Sequence, residues 1–193
     1  VAFPDALFGP KFADFRKNKM MTNKDFFIAQ WTDEMKSTLS AIKGLPTDMS
    51  KLEYKPSAKA RSAMQLVQHF LSHPDSMYHS IATGAIEEKD ARFDSAAAMA
   101  DYFNDKSALL LDGLKGVSDA DWMERNIDFM HGGHKVFTLP MYQMFWKFMF
   151  DIIHHRGQLS TYYRAMGVRN PSIYGPSAED IEDMMAARMA ANN

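Results

Sequence analysis

The chain has 193 residues, no cysteine, a net charge of -2 and 46% hydrophobic residues. That length and apolar content suit one domain with a sizeable core, with or without an extension. The missing cysteines exclude a cysteine nucleophile, a disulfide framework and a thiolate metal site, and the balanced charge offers no footprint for nucleic acid or anionic lipid.

No apolar run is long enough to span a membrane: the best candidate, Met141 to Ile153, is interrupted by Gln143, Lys147 and Asp151. No leader segment is visible from Val1 onward. The expected location is therefore cytoplasmic, or exported with a leader removed before Val1. Sixteen methionines read as packing, because methionine fills irregular cores.

Residues 1–22 read as an N-terminal extension, with Pro4, Gly9 and Pro10 breaking its start and Phe12 and Phe15 among lysines. Residues 23–193 form the domain. Thr22 or Asn23 caps a first helix to about Lys43, whose apolar face carries Phe27, Trp31, Met35, Leu39 and Ile42. Gly44 and Pro46 end it, and Asp48 to Ala60 is polar and irregular. A second helix runs from about Ala60 to Thr83. Pro74 falls inside it, removes a backbone donor and crowds the Phe70 carbonyl, so a kink or bulge is expected there.

A third helix runs from Ser95 to about Leu114, with Gly116 as its cap. Ser118 to Trp122 forms a short helical turn. Ile127, Phe129, Val136 and Phe137 then flank His131-Gly132-Gly133-His134, the pattern of a small hairpin or ordered loop. The fourth helix begins near Thr138, with Pro140 in its first turn, and ends around Gly167. It is apolar on nearly every side between Met141 and Ile153, which places it centrally or at a subunit interface. Ser177 caps a last short helix to about Ala190. Four long amphipathic helices with little strand signal predict an all-α antiparallel four-helix bundle.

The fourth helix carries the candidate chemistry. Asp151 and His155 are spaced i, i+4, so their Cβ atoms lie about 5–6 Å apart on one face. A carboxylate in such apolar surroundings costs on the order of several kcal/mol unless a cation sits beside it. Two readings meet that demand. In one, Gln143, Lys147, Asp151 and His155 trace a polar stripe on the wet face of the helix, with Lys147 pairing Asp151. In the other, Asp151 and His155 hold a metal.

Three features favour the metal. His154, Arg156 and Gln158 crowd polar groups beside His155. Gly157 sits mid-helix, at a cost of about 1 kcal/mol against alanine, which suits close approach to the backbone. His69 and His73 repeat the i, i+4 spacing on the second helix, and facing helices with paired ligands are how bundles build metal sites. His73 is open to three roles: a fourth ligand, a partner that orients a ligand, or a core histidine. His154 and His79 read as structural and surface residues. His131 and His134 read as solvated loop residues, although their loop leads into the fourth helix and could cover the site. Arg156 calls for a carboxylate from a neighbouring helix, with Asp75 the candidate.

The segments IHHRGQLSTYYRAMG and PSIYGPSAED, with KARSAMQLVQHF upstream, resemble the signatures of the DinB/YfiT-like family across most of residues 59–180. The resemblance implies a four-helix bundle, often dimeric, with a divalent metal held by one second-helix histidine and two fourth-helix histidines. Carried onto this sequence, those positions are His69, Asp151 and His155. Asp151 stands where the family has histidine. Two histidines and a carboxylate suit zinc or iron, and nickel is the further candidate.

The resemblance also implies a metal-dependent enzyme acting on a small-molecule substrate; the apolarity of Met141 to Ile153 adds the expectation of a homodimer, and charge and hydropathy that of neither nucleic acid nor membrane as partner. Three functions follow from the resemblance: a hydrolase using metal-activated water, a transferase whose metal activates a low-molecular-weight thiol such as bacillithiol, or a non-catalytic bundle that retains the site. Phe148, Tyr162 and Phe70 are the aromatics expected to line a pocket.

Overall fold

Thr22 opens the first helix as expected: its hydroxyl accepts from the Asp25 backbone N–H, and the Asp25 side chain reaches back to the Thr22 N–H. The structure is a computed structural model that describes residues 20–88 and 91–191. The expected extension, residues 1–22, falls almost wholly outside them.

Helix α1 spans Asn23–Lys43. A short 3-10 turn, Met49–Glu53, leads to α2, Ala63–Leu71. Then come α3, His73–Thr83, and strand β1, Ala85–Glu87. Helix α4 is Ala96–Lys115 and α5 is Asp119–Glu124. Strands β2, Asn126–His131, and β3, His134–Pro140, precede α6, Met141–Ser160, and α7, Ala178–Ala191.

The fold is mostly helical, but the all-α expectation is corrected by a three-stranded sheet in the order β1-β2-β3. Strands β2 and β3 form the antiparallel hairpin, and β1 adds in parallel through Ile86 opposite Phe129. Gly132 and Gly133 both have positive φ, 57° and 77°. That is the requirement of a two-residue type I′ turn. Strand β3 takes residues 138–140 from the expected fourth helix, because Thr138 pairs Asp128 in the ladder. Helix α6 therefore starts at Met141, and residues beyond Ser160 continue as turns to Gly167.

The second predicted helix is two helices. Ser72 ends α2 and opens α3, and Pro74 occupies the first turn of α3, where its missing N–H is not needed. The break lies two residues before the proline.

Helix α6 is central, packing on α1, α2, α3 and α5. Its Met144, Phe145, Phe148, Met149 and Ile152 are buried. Phe27 of α1, Trp122 of α5 and Phe145 form one aromatic cluster, with centroids 5.0–6.0 Å apart. The Trp122 indole N–H donates to Asn23 at 2.8 Å. No helix among the described residues is long and apolar enough to cross a membrane.

Arg156 fixes the rotation of α6. It is 1% exposed, and its partner is Glu34 of α1 at 2.6 Å, not Asp75. It also donates to the Thr38 hydroxyl and the Glu34 carbonyl, and stacks on Tyr174 at 4.9 Å. Asp75 is instead taken by Lys106 at 2.9 Å and His79 at 3.4 Å. Breaking a buried ion pair strands a charge. Glu34→Gln is therefore expected to lower unfolding free energy by about 3 kcal/mol, read as a lower urea midpoint. An unchanged midpoint would show that Arg156 is held by its neutral partners alone.

Candidate metal centre

Helix periodicity and the α2–α3 break together deliver four titratable side chains to one point. His69 lies in the last turn of α2 and His73 begins α3. Asp151 and His155 are one turn apart on α6. Asp151 Oδ2 lies 3.1 Å from His69 Nε2 and 2.9 Å from His73 Nε2, and its Oδ1 lies 3.4 Å from His155 Nε2. The polar-stripe arrangement is not the one adopted, because Lys147 makes no ion pair with Asp151 and the carboxylate turns toward α2 and α3.

Glu88, just past β1, is a fifth member that the sequence reading missed. Its carboxylate lies 3.8 Å from His69 Nδ1 and 3.9 Å from His73 Nε2. In sequence it belongs to a charged run, Glu87-Glu88-Lys89-Asp90, which reads as a solvated turn. The chain reversal at Gly84 and the packing of β1 on α3, where the Ser76 hydroxyl donates to the Glu87 carbonyl at 3.0 Å, together with the parallel pairing of β1 with β2, bring it to the histidines.

The electrostatics of the cluster follow from burial against hydrogen bonding. Burial would push the Asp151 carboxyl up, but hydrogen bonds from His155, His69 and His73 outweigh it and hold it well below the usual carboxylate range. His73 is 1% exposed. Burial pulls its imidazole down, against the opposing pull of Asp151, so it is neutral at pH 7. Its Nε2–H donates to Asp151, and its buried Nδ1 has no partner. His155 is raised by its hydrogen bond to Asp151; burial and the nearby Arg61 charge oppose this.

The donor set fits a divalent cation. His155 Nδ1 donates to Gln158 Oε1 at 2.8 Å. Protonated, His155 donates its Nε2–H to Asp151; once that proton leaves, Nε2 is a bare acceptor facing the carboxylate. Two acceptors face each other stably only with a proton or a cation between them. Two groups have ligand atoms all within 4.8 Å of one another: His69, Asp151 and His155, and His69, His73 and Glu88. The first is the trio expected from the sequence.

The other histidines lie elsewhere. His79 is exposed beside Asp75. His131 and His134 pair across the hairpin turn and point to solvent, so they do not cover the cluster. Phe129 and Phe137 of the same hairpin do, lining a cavity of about 410 Å³ with His73, Glu88, Phe148 and Asp151. His154 is exposed at the rim of this cavity and of a second one beside His155. Phe148 and Tyr162 line cavities as expected, one each, whereas Phe70 is fully buried core. A Cβ at Gly157 would meet no protein atom within 4 Å, so its flexibility serves no packing contact.

A mostly helical protein with a histidine–carboxylate cluster between its second-helix region and its long central helix is the class that fold and site define. The DinB family model matches residues 20–189, and the chain belongs to the DinB family. Solved structures with a similar fold include a DinB-like protein from Bacillus cereus, 21% identical with a TM-score of 0.61, covering 77% of this chain and 95% of that one. A DinB-like protein from Bacillus subtilis is 18% identical with a TM-score of 0.59, covering 78% and 98% respectively. No curated protein matches the chain.

The cluster has a pH signature in chelator-treated protein. His155 is raised in the folded state, so its pairing with Asp151 stabilises fully below its unfolded pKa of about 6.5 and fades as pH rises through the folded value. The stability gap between wild type and Asp151→Asn is expected to be widest near pH ~5 and to narrow toward pH ~8. Urea titrations showing a gap that widens with pH would contradict the pairing.

Proposed function

We propose that this chain is a divalent-metal-dependent enzyme of hydrolase type, with His69, Asp151 and His155 as metal ligands. The observation that carries the reading is the Asp151 carboxylate, held between histidines of two helices by atoms close enough to share one ion. Zinc, nickel or iron suits a set of two imidazoles and one carboxylate. When bound, such an ion supplies Lewis-acid activation of water.

The remaining roles belong to the chain's own residues. His73 donates to Asp151 and fixes the orientation of its carboxylate. Glu88 lies beside His69 and His73 on the cavity wall, where a carboxylate can accept a proton from a nucleophile entering the cavity. Phe129, Phe137, Phe148 and Phe150 give that cavity an apolar wall, which excludes water and receives the apolar part of a small-molecule substrate. A second reading is transfer of a low-molecular-weight thiol through the same centre. It is supported by the absence of cysteine, since the thiol would have to come from outside the chain.

We read α1, α2–α3, α4 and α6 as the family's four-helix bundle and place a homodimer contact on α6. Phe150 is 57% and Phe26 46% exposed, with Trp146 between them at 5.5 and 5.7 Å. Such a ribbon is suited to burial against a second copy. Sedimentation at micromolar concentration is expected to show a dimer that Phe150→Glu dissociates; a 22 kDa species in the wild type would refute it.

Metal content tests the main proposal. His69→Ala, Asp151→Ala and His155→Ala are each expected to lose the metal retained by wild type. Asp151→His is expected to keep it, because imidazole nitrogen suits zinc and nickel better than carboxylate does. Equal metal content in all of them would leave a non-catalytic helical protein as the better reading. Esterase, amidase and thiol-conjugation assays on the loaded enzyme then separate hydrolysis from transfer.

A further inference from the structure

The cluster also borders a second opening, next to the first across His154. A second cavity of about 690 Å³ borders His155 and is lined by Arg61, Gly157, Gln158 and Tyr162 among others. Arg61 is exposed, and no carboxylate among the described residues lies within ion-pair distance of it. Arg156, Arg164 and Arg169 are paired with carboxylates; Arg61 is the arginine that lines this cavity. The Arg61 backbone is not loose. Its carbonyl accepts from the Tyr162 hydroxyl at 3.3 Å, tying the start of α2 to the end of α6, and the next residue, Ser62, caps α2 through a reciprocal bond with Gln65. A fixed backbone thus presents a guanidinium with spare donors to a cavity that also touches the proposed metal ligand.

Gly157 is the second observation. It forms part of the cavity wall one turn of α6 from Ile153. A glycine inside a helix is less stable than alanine, yet a methyl group there would meet no protein atom. The space kept free is the cavity's own. A helix surface without a side chain, in a cavity that also holds an unpaired guanidinium, suits the close approach of a planar or tetrahedral oxyanion.

We propose that this cavity is an oxyanion subsite. It takes the carboxylate or phosphate group of a substrate whose reacting atom lies at the His69–Asp151–His155 cluster, and Arg61 is the residue that selects for the anion. The link to a reaction rests on the metal-centre reading; binding of the anion rests on Arg61 and Gly157 alone.

The test uses benzoate, phenyl phosphate and neutral benzamide as probes, titrated calorimetrically into zinc-loaded and into chelator-treated full-length protein. In the chelated protein at least one anion is expected to bind about tenfold more tightly than benzamide. Which anion does so separates a carboxylate from a phosphate subsite. Arg61→Ala should abolish that preference and Arg61→Lys should keep most of it. Gly157→Ala should raise Tm and still weaken the anion, a combination that a purely structural glycine would not produce. Equal binding of anions and benzamide, or a preference that survives Arg61→Ala, would overturn the subsite. A rise in Tm with unchanged affinity would remove Gly157 from it. Arg61-dependent binding in a protein that holds no zinc would sink the metal centre and leave the subsite standing. Zinc bound through Asp151 without Arg61-dependent binding would do the reverse.

Discussion

The Asp151 carboxylate sets the terms for the whole arrangement. It sits at the edge of the buried face of α6, with Phe148 and Ile152 buried on either side of it. A lone carboxylate there would be costly to ionise. It stays ionised because three imidazoles converge on it from α2, α3 and α6. That convergence constrains the fold around it. Helix α6 cannot rotate by even one residue, about 100°, without taking Asp151 and His155 out of reach of His69. The buried Arg156–Glu34 pair, one residue beyond His155, holds that rotation against α1. The α2–α3 break at Ser72 lets His73 begin a new helix with its ring buried and its Nε2 still on Asp151.

What could be read in the sequence was what the 3.6-residue period controls. The spans of α1 and α4, the Thr22 and Gly116 caps, and the facing pairs His69/His73 and Asp151/His155 are all local facts, and the structure contains them. What could not be read depends on pairing between distant segments. Strand β1 is three residues long and pairs in parallel with β2 across some forty residues of chain, so it leaves no periodic trace. Glu88 reaches the cluster through that pairing and through the packing of β1 on α3. The same non-local geometry gave Arg156 to Glu34 rather than Asp75: both are acids on neighbouring helices, and spacing alone does not choose between them. Thr138–Pro140 read as the start of a helix because proline suits a first turn, but cross-strand bonding to Asp128 won.

The hairpin and the start of α2 give the cluster two unlike sides. On one, Phe129, Phe137 and Phe148 make an apolar wall against which Glu88 and Asp151 are the polar groups. On the other, Arg61 and Gln158 make a polar wall against His155. The two walls meet at His154, which lines both cavities. Each wall borders one member of the proposed set, Asp151 on the apolar side and His155 on the polar side, so the asymmetry bears on which substrate groups are received.

The central claim is that one divalent ion belongs between α2 and α6. Anomalous diffraction at the zinc edge from zinc-loaded crystals tests it most directly. The account expects a single strong peak bonded to His69, Asp151 and His155 at about 2.0–2.2 Å. A zinc peak bound elsewhere on the chain, with Asp151 still hydrogen-bonded to its three histidines, would contradict it.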